Sequence, residues 1–443
     1  MLVFYKIVLS SAVIISLLVL GDKFVLHCSK KKGFLTASNS HSREKKNVYG
    51  SKKDTSQQMK VDPLYLKPDQ VASYDDRPWR PFRWPYYQTM SIFKLDMNHW
   101  LDMDKYYVRY INEKKRIWNK FGKENINWLP ESEDACTELL ETVTNHMLVR
   151  YPLLFRVLED KKETGKVVRN EITKEDLDMT YPLKQHPLIL VSKLAKEDFY
   201  IVKKNTKDGQ HYLVAAEVPF PGGRFGISEK IGKNLDVIHD GVPYYQESLK
   251  KSMERWFERL EVDTPVERAS WYMTWDHKLK VNNINQSPEF RPNMYDELSA
   301  ADPKDFVVRV ERQTLRRLPK SGAIIFTNHP IFYSIEEMKD EPLIPSLLKK
   351  ILYEGPEKIV RYKHFELFRD LISGYLDKLI ERQLDMGLIT KDTPLRTLPT
   401  YPFAHWTKTN FDMLVGWTNP SPSYRKDFNY SDIAEGEVIA ENE

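Results

Sequence analysis

Glu311, His239 and a run of arginines are the side chains of this sequence with the clearest chemical use. In DFVVRVERQTLRRLP, residues 305–319, Phe306, Val308 and Val310 alternate with Val307, Arg309 and Glu311, the period-two pattern of a strand. If Val308 and Val310 face a core, Arg309 and Glu311 share the opposite face. A carboxylate placed there can bind a cationic amine or move protons; the plainer alternative is a solvated ion-pair strand. Arg309, Arg312, Arg316 and Arg317 offer planar guanidinium forks for carboxylates. His239 follows apolar Ile231, Leu235 and Ile238 and precedes Asp240 and Gly241. It can therefore project from a helix end into a cavity, either as an imidazole ligand or as a residue bonding its own turn. His186 and His211 come next. Gly222, Gly223 and Gly226, followed by Ser228, Glu229 and Lys230, can present N–H groups to an anion at a helix start or form a plain turn. They lack the strand–GxGxxG–helix setting of a nucleotide site. No Ser–His–Asp spacing, HExxH or P-loop is present.

Two cysteines, Cys28 and Cys136, exclude a disulfide scaffold and any zinc or iron–sulfur site built from several thiolates. A metal centre has to use histidine or arrive within a cofactor.

The elements that would hold these groups follow from periodicity. Residues 98–118 and 134–151 read as helices, the second with Leu139, Leu140, Val143, Met147 and Leu148 on one face. Residues 199–203 and 211–220 form a hairpin across NTKDG. A helical spacing runs through Ile227, Ile231, Leu235 and Ile238, and residues 245–260 form an amphipathic helix. Strands at 305–311 and 323–327 are followed by helices at 343–353 and 365–384. Strands clustered between helical flanks predict an α+β fold with an antiparallel sheet.

The charge is uneven along the chain. Residues 1–60 hold 11 Lys and Arg against 3 Asp and Glu, whereas the rest carries 56 against 60. The body is thus not a basic surface seeking nucleic acid, and its basic neighbour adjoins the uncharged run IVLSSAVIISLLVL, residues 7–20. We read residues 1–26 as an uncleaved membrane anchor and 27–75 as a basic flexible tether. Packing signals begin near Arg77, giving a domain at 76–405 and a tail at 406–443. Cys28 is placed for acylation. Lys23, Lys30, Lys31, Lys32, Arg43, Lys45 and Lys46 outnumber Lys6 across the anchor, which puts the domain of this single-pass protein in the cytosol. N-glycosylation sequons at Asn285 and Asn429 point the other way.

Four stretches carry a family resemblance: FRWPYYQTMSIFKLDMNHWLDMDKYYVRYINEKKRIW (82–118), HPLILVSKLAKEDFYIV (186–202), LVAAEVPFPGGRFGISEKIGKNLDVIHDGVP (213–243) continuing to ERASWYM (267–273), and FVVRVERQTLRRLPKSGAIIFT (306–327). Spanning about residues 78–390, they resemble the alpha subunits of haem-dependent oxidative N-demethylases and their fungal relatives. The resemblance implies a haem in a PAS-like sheet with flanking helices. It implies oxygen-dependent demethylation of a small secondary amine, with electrons from separate flavin and iron–sulfur subunits. It makes His239, in IHDGVP, the axial ligand of the haem iron, the default where no cysteine serves. It makes Glu311 the catalytic carboxylate and Arg312 its neighbour in the matching segment. Arg309, Arg312, Lys230 and Arg268 are the further cofactor-binding candidates. Arg268 and Trp271 match the family's arginine–x–x–tryptophan, with Ala269 and Ser270 in its middle. No reductase segment is present, so turnover needs a separate electron donor. The competing readings are a membrane-anchored haem or small-ligand sensor and a structural partner that has lost the cofactor.

Overall fold

The computed structural model describes residues 59–222, 226–280 and 293–419. In chain order its main strands are β1 (Phe93–Lys94), β2 (Ile126–Trp128), β3 (Phe155–Lys161), β4 (Gly165–Asn170), β5 (Glu175–Asp178), β6 (Asp198–Lys204), β7 (His211–Glu217), β8 (Val266–Thr274), β9 (Val307–Arg317) and β10 (Ile324–Ser334). β3, β4 and β5 make a small sheet of their own. The others form a seven-stranded sheet in the order β1–β8–β9–β10–β6–β7–β2. Every pairing in it is antiparallel. The main helices are α1 (Tyr107–Phe121), α2 (Glu133–Arg150), α3 (Pro187–Ser192), α4 (Lys250–Arg259), α5 (Ile344–Glu354) and α6 (Arg369–Asp385). The fold is α+β.

Both faces of the sheet are covered, which is uncommon for an antiparallel sheet. One face puts Phe199, Ile201, Ala215 and Ile325 against Leu139, Leu140, Val143 and Met147 of α2. The same face continues as Trp271, Met273, Val308, Val310 and Ile331, packed on Leu347, Leu348 and Ile351 of α5 and Ile372 and Leu376 of α6. The other face puts Tyr200, Val202, Leu213, Ala216 and Leu315 beneath Ile227, Phe257 and Leu260. That second cover is the segment containing His239.

β9 and β10 pair over their whole lengths, far past the ends expected at 311 and 327. Their turn is fixed by α2, where Glu138 accepts from Lys320 N and Ser321 N at 2.7 Å each. The first helix starts at Tyr107 rather than 98. Asp96 accepts from Asn98 N and Asp104 from Tyr106 N, and such local side-chain bonds compete with helix. The expected helix at 245–260 is broken: Tyr245–Leu249 is a wider turn and α4 begins at Lys250. Packing also starts earlier than Arg77, because Leu64, Leu66 and Val71 are core residues. The anchor at 1–26 and both sequons lie outside the described residues. Among the described residues no helix is long and apolar enough to cross a membrane.

The most deeply buried ion pair of the strap before β1 is that of Arg80 with Glu341. Arg80 Nε and Nη2 donate to Glu341 at 2.6–3.0 Å, and the guanidinium lies 4.3 Å from the Tyr333 ring centre. Removing one partner leaves a buried charge without compensation, so Arg80→Ala is expected to lower unfolding free energy by about 3–5 kcal/mol. Urea denaturation checks this; a loss no larger than that of an exposed pair would refute the role.

Candidate functional site

Alternation along β9 divides its charges between two faces. Arg309, Glu311, Gln313 and Leu315 share a face with their register partners Arg268, Ser270 and Tyr272 on β8 and with Phe326 and Asn328 on β10. Val308 and Val310 are in the core behind them, as the alternation predicts.

Arg309 and Glu311 are each 1% exposed, so the strand is an ion-pair strand that is buried rather than solvated. Arg309 Nε donates to Glu311 Oε1 at 2.5 Å. Its Nη1 donates to the carbonyls of Lys278 and Leu279, and its Nη2 to those of Phe220 and Pro221. Every donor of the fork therefore has an acceptor. The other carboxylate oxygen of Glu311 accepts from Asn328 Nδ2. Gly222 closes over the carboxylate: a Cβ on it would lie 2.8 Å from Glu311 Cδ and 2.9 Å from Oε2. Close by, burial raises the Asp198 carboxyl well above its usual range, with Glu217 and Glu311 adding to the effect and Lys114 opposing it.

His239 ends the short helix Leu235–His239, capped by Asn234, whose side chain accepts from Val237 N. Its Nδ1 donates to Leu235 O at 2.7 Å, and its ring lies near-parallel to Tyr245, centres 5.4 Å apart. Nε2 has no partner among the described residues. Burial lowers the His239 pKa, the Leu235 bond opposes this, and Arg268 and Lys230 lower it further. The lowered pKa favours the neutral imidazole, and with Nδ1 donating to Leu235 O its lone pair is on Nε2, the arrangement a metal requires. Lys230 donates to Ile238 O at 3.3 Å, tying the preceding helix Ile227–Lys230 to that turn. A cavity of about 450 Å³ opens outside the turn, lined by His211, Leu235, Tyr245 and Phe257 among others. It does not reach His239 or Glu311, and its polar rim has no convergent chemistry.

The other sequence candidates are placed elsewhere. Arg312 projects from the opposite face of β9, where it pairs with Asp102 and Glu267 at 3.2 Å each. Arg312, expected among the cofactor-binding residues, thus lies on the face away from Glu311, because adjacent residues of a strand point to opposite faces. Arg316 lies on that same far face, 4.3 Å from the Trp100 ring centre. Arg317 holds the carbonyls of Phe257, Leu260 and Gly322. His186 caps α3, accepting from Leu188 N, and stacks on Trp128 at 3.6 Å. His211 packs against Phe257. Ser270, Tyr272, Asn328 and Asp198 were missed. The alternation of Arg268, Ser270 and Tyr272 with Ala269, Trp271 and Met273 is the signal that would have found the first two. Among the described residues no cluster of three or more His, Cys, Asp or Glu is placed to hold a metal ion.

Fold and site together define an α+β protein with a half-buried imidazole whose Nε2 has no partner among the described residues and which lies within electrostatic reach of Arg268 and Lys230. The sequence model of the family described as haem-dependent oxidative N-demethylase, alpha subunit-like, matches residues 91–373. This is more than half of the chain, and the protein belongs to that family. The matched span holds His239, Arg268 and Glu311.

His239 has an Nε2 that could hold a haem iron, with Arg268 and Lys230 within electrostatic reach of it; Ile231, Leu235, Ile238, Met253, Trp256 and Phe326 pack on the core of the same cover, and the cavity beside the turn stops short of His239. Gly222 gives a test of how tightly Glu311 is held. A methyl there meets a carboxylate already fixed by Arg309 and Asn328. Gly222→Ala should therefore cost about 1–3 kcal/mol, as overpacking does. In a double-mutant cycle with Glu311→Ala most of that cost should vanish. Additive losses would show that Gly222 and Glu311 do not touch.

Proposed function

We propose that the protein binds haem between the β8–β9 face and the 227–259 segment, where His239 Nε2 would hold the iron, and demethylates a small secondary amine using oxygen. The observation that carries this reading is the His239 tautomer, fixed by Leu235 O with Nε2 left free. When bound, haem supplies the oxygen chemistry and takes electrons from a separate donor. The chain's own residues orient and hold: Leu235 O fixes the imidazole, and Arg268 and Lys230 offer counter-charges for propionates. Arg309 and Asn328 hold the Glu311 carboxylate in place for an amine or a proton at its oxygens. The same reading takes the sheet with its helical cover as PAS-like. It keeps the expected anchor, with the domain on the cytosolic side.

One observation favours a second reading, a haem or small-ligand sensor without turnover. Glu311 is sealed beneath Gly222, which leaves no room for a substrate at its oxygens in this conformation.

Glu311→Gln separates the two. The change leaves Arg309 without its counter-charge and should cost about 3–5 kcal/mol, so turnover is measured on protein shown to be folded and haem-loaded. An enzyme should lose amine-dependent oxygen consumption, with a supplied electron donor, by about 10²–10⁴-fold. Glu311→Asp, which keeps the charge, separates lost pairing from lost reach. Full activity in the folded Gln variant would refute the proton-transfer role.

A further inference from the structure

Many buried cations of this protein face a carboxylate: Arg80 meets Glu341, Arg309 Glu311, Arg312 Asp102 and Glu267, Lys114 Glu217, and Lys196 Asp104. Three cations at the outer edge of β8 do not. β1 pairs with β8 only at Val266 and Glu267, and beyond that point side chains from elsewhere gather. Lys363, just after the helix Glu357–Tyr362, sends Nζ to Trp271 O at 2.7 Å and to within 3.5 Å of Ser270 Oγ. The rings of Tyr86, Trp271 and Tyr272 surround it, with centres 5.8, 5.3 and 4.8 Å away. Arg83 comes from the strap whose Phe82 and Tyr86 pack on Trp271, and it donates to Tyr87 O and Thr89 Oγ1. Arg268 projects from β8 on the Glu311 face; its Nε is buried with no hydrogen-bond partner.

None of the three is in an ion pair among the described residues. They also act on one another. Burial pushes the Lys363 amine down to about 7, with Arg268 and Arg83 adding to the effect, and Arg268 is lowered by burial and by Arg83. Lys363 is buried, as is the Nε of Arg268, while Arg83 is half-buried; positive charge gathered there without a counter-ion is costly, and an anion would relieve it.

We propose that Arg83, Arg268 and Lys363 form a binding site for an organic carboxylate, with Ser270 Oγ as a further hydrogen-bonding group. Aromatic walls suit a carboxylate carried on an apolar body better than a hydrated phosphate. Its two oxygens match the donor fork of Arg268. The carboxylate is either a haem propionate, in which case the site rests on the haem reading above, or that of a free small molecule, in which case it does not.

Purified full-length chain titrated with haemin and with haemin dimethyl ester, followed by the Soret band, tests the first source. Thermal melting in sodium benzoate against sodium chloride at equal ionic strength tests the second. The variants are Arg268→Gln and Lys363→Met; the second removes a buried charge while keeping its volume, so it should melt no lower than the wild type without ligand. For a propionate site, haemin binds at least about tenfold more tightly than the ester, as loss of charge-assisted bonds implies, and both variants abolish the preference. For a free carboxylate, haemin and ester bind alike or not at all, and benzoate raises the melting temperature of the wild type but of neither variant. The proposal is overturned if the wild type shows neither preference nor benzoate stabilisation, or if either effect survives in both variants.

Discussion

The pairing of Arg309 with Glu311 inside a strand covered on both faces is the constraint from which the site follows. A carboxylate removed from water needs hydrogen bonds and counter-charge. Here Arg309 and Asn328 provide them. The same guanidinium holds the carbonyls of Phe220, Pro221, Lys278 and Leu279, so two distant loops converge on one strand. Gly222 can then lie against the carboxylate, since any larger residue would overlap it. The arginine is in this sense a clamp on the loops and on Glu311, with no donor left for another ligand in this conformation.

The opposite face of β9 shows the same economy with different partners. Arg312 answers Asp102 and Glu267, and Glu267 is held in turn by Arg77. Charges along this strand thus stitch the strap, the sheet and the loop before α1 into one body. Against that background the imidazole of His239 and the cations of the β8 edge stand apart. His239 Nε2 and Arg268 Nε have no hydrogen-bond partner, and Arg83, Arg268 and Lys363 no carboxylate, among the described residues, and bound ligands are the ordinary resolution of such groups. The proposed haem and its carboxylates would satisfy both.

The sequence made part of this readable. Alternation at 305–311 marked the strand and the face of Glu311 because Val308 and Val310 pack on α5 and α6. It did not show the strand continuing to Arg317. Arg312 and Arg316 read as guanidinium forks for a ligand because Asp102, Glu267 and Trp100, which cover them, are remote in sequence. β3 was invisible for a related reason, since all of it beyond Phe155 is exposed and charged residues predominate. Leu64 and Leu66 sit among polar residues, so local composition concealed their burial. His239 was legible as a helix end, but its bond to Leu235 O depends on the turn geometry. Lys363 carried no local signal at all; its meaning lies in Arg83, Arg268 and Trp271, which come from other elements.

The account stands or falls on the imidazole. The direct measurement is the absorption spectrum of the purified full-length chain reconstituted with haem, beside that of His239→Ala. The account predicts stoichiometric haem with an imidazole-ligated spectrum in the wild type. It predicts loss or change of that ligation in the variant, restored when free imidazole is added to fill the space left by the side chain. A variant with unchanged Soret band and haem content, or a wild type that takes up no haem, would contradict it.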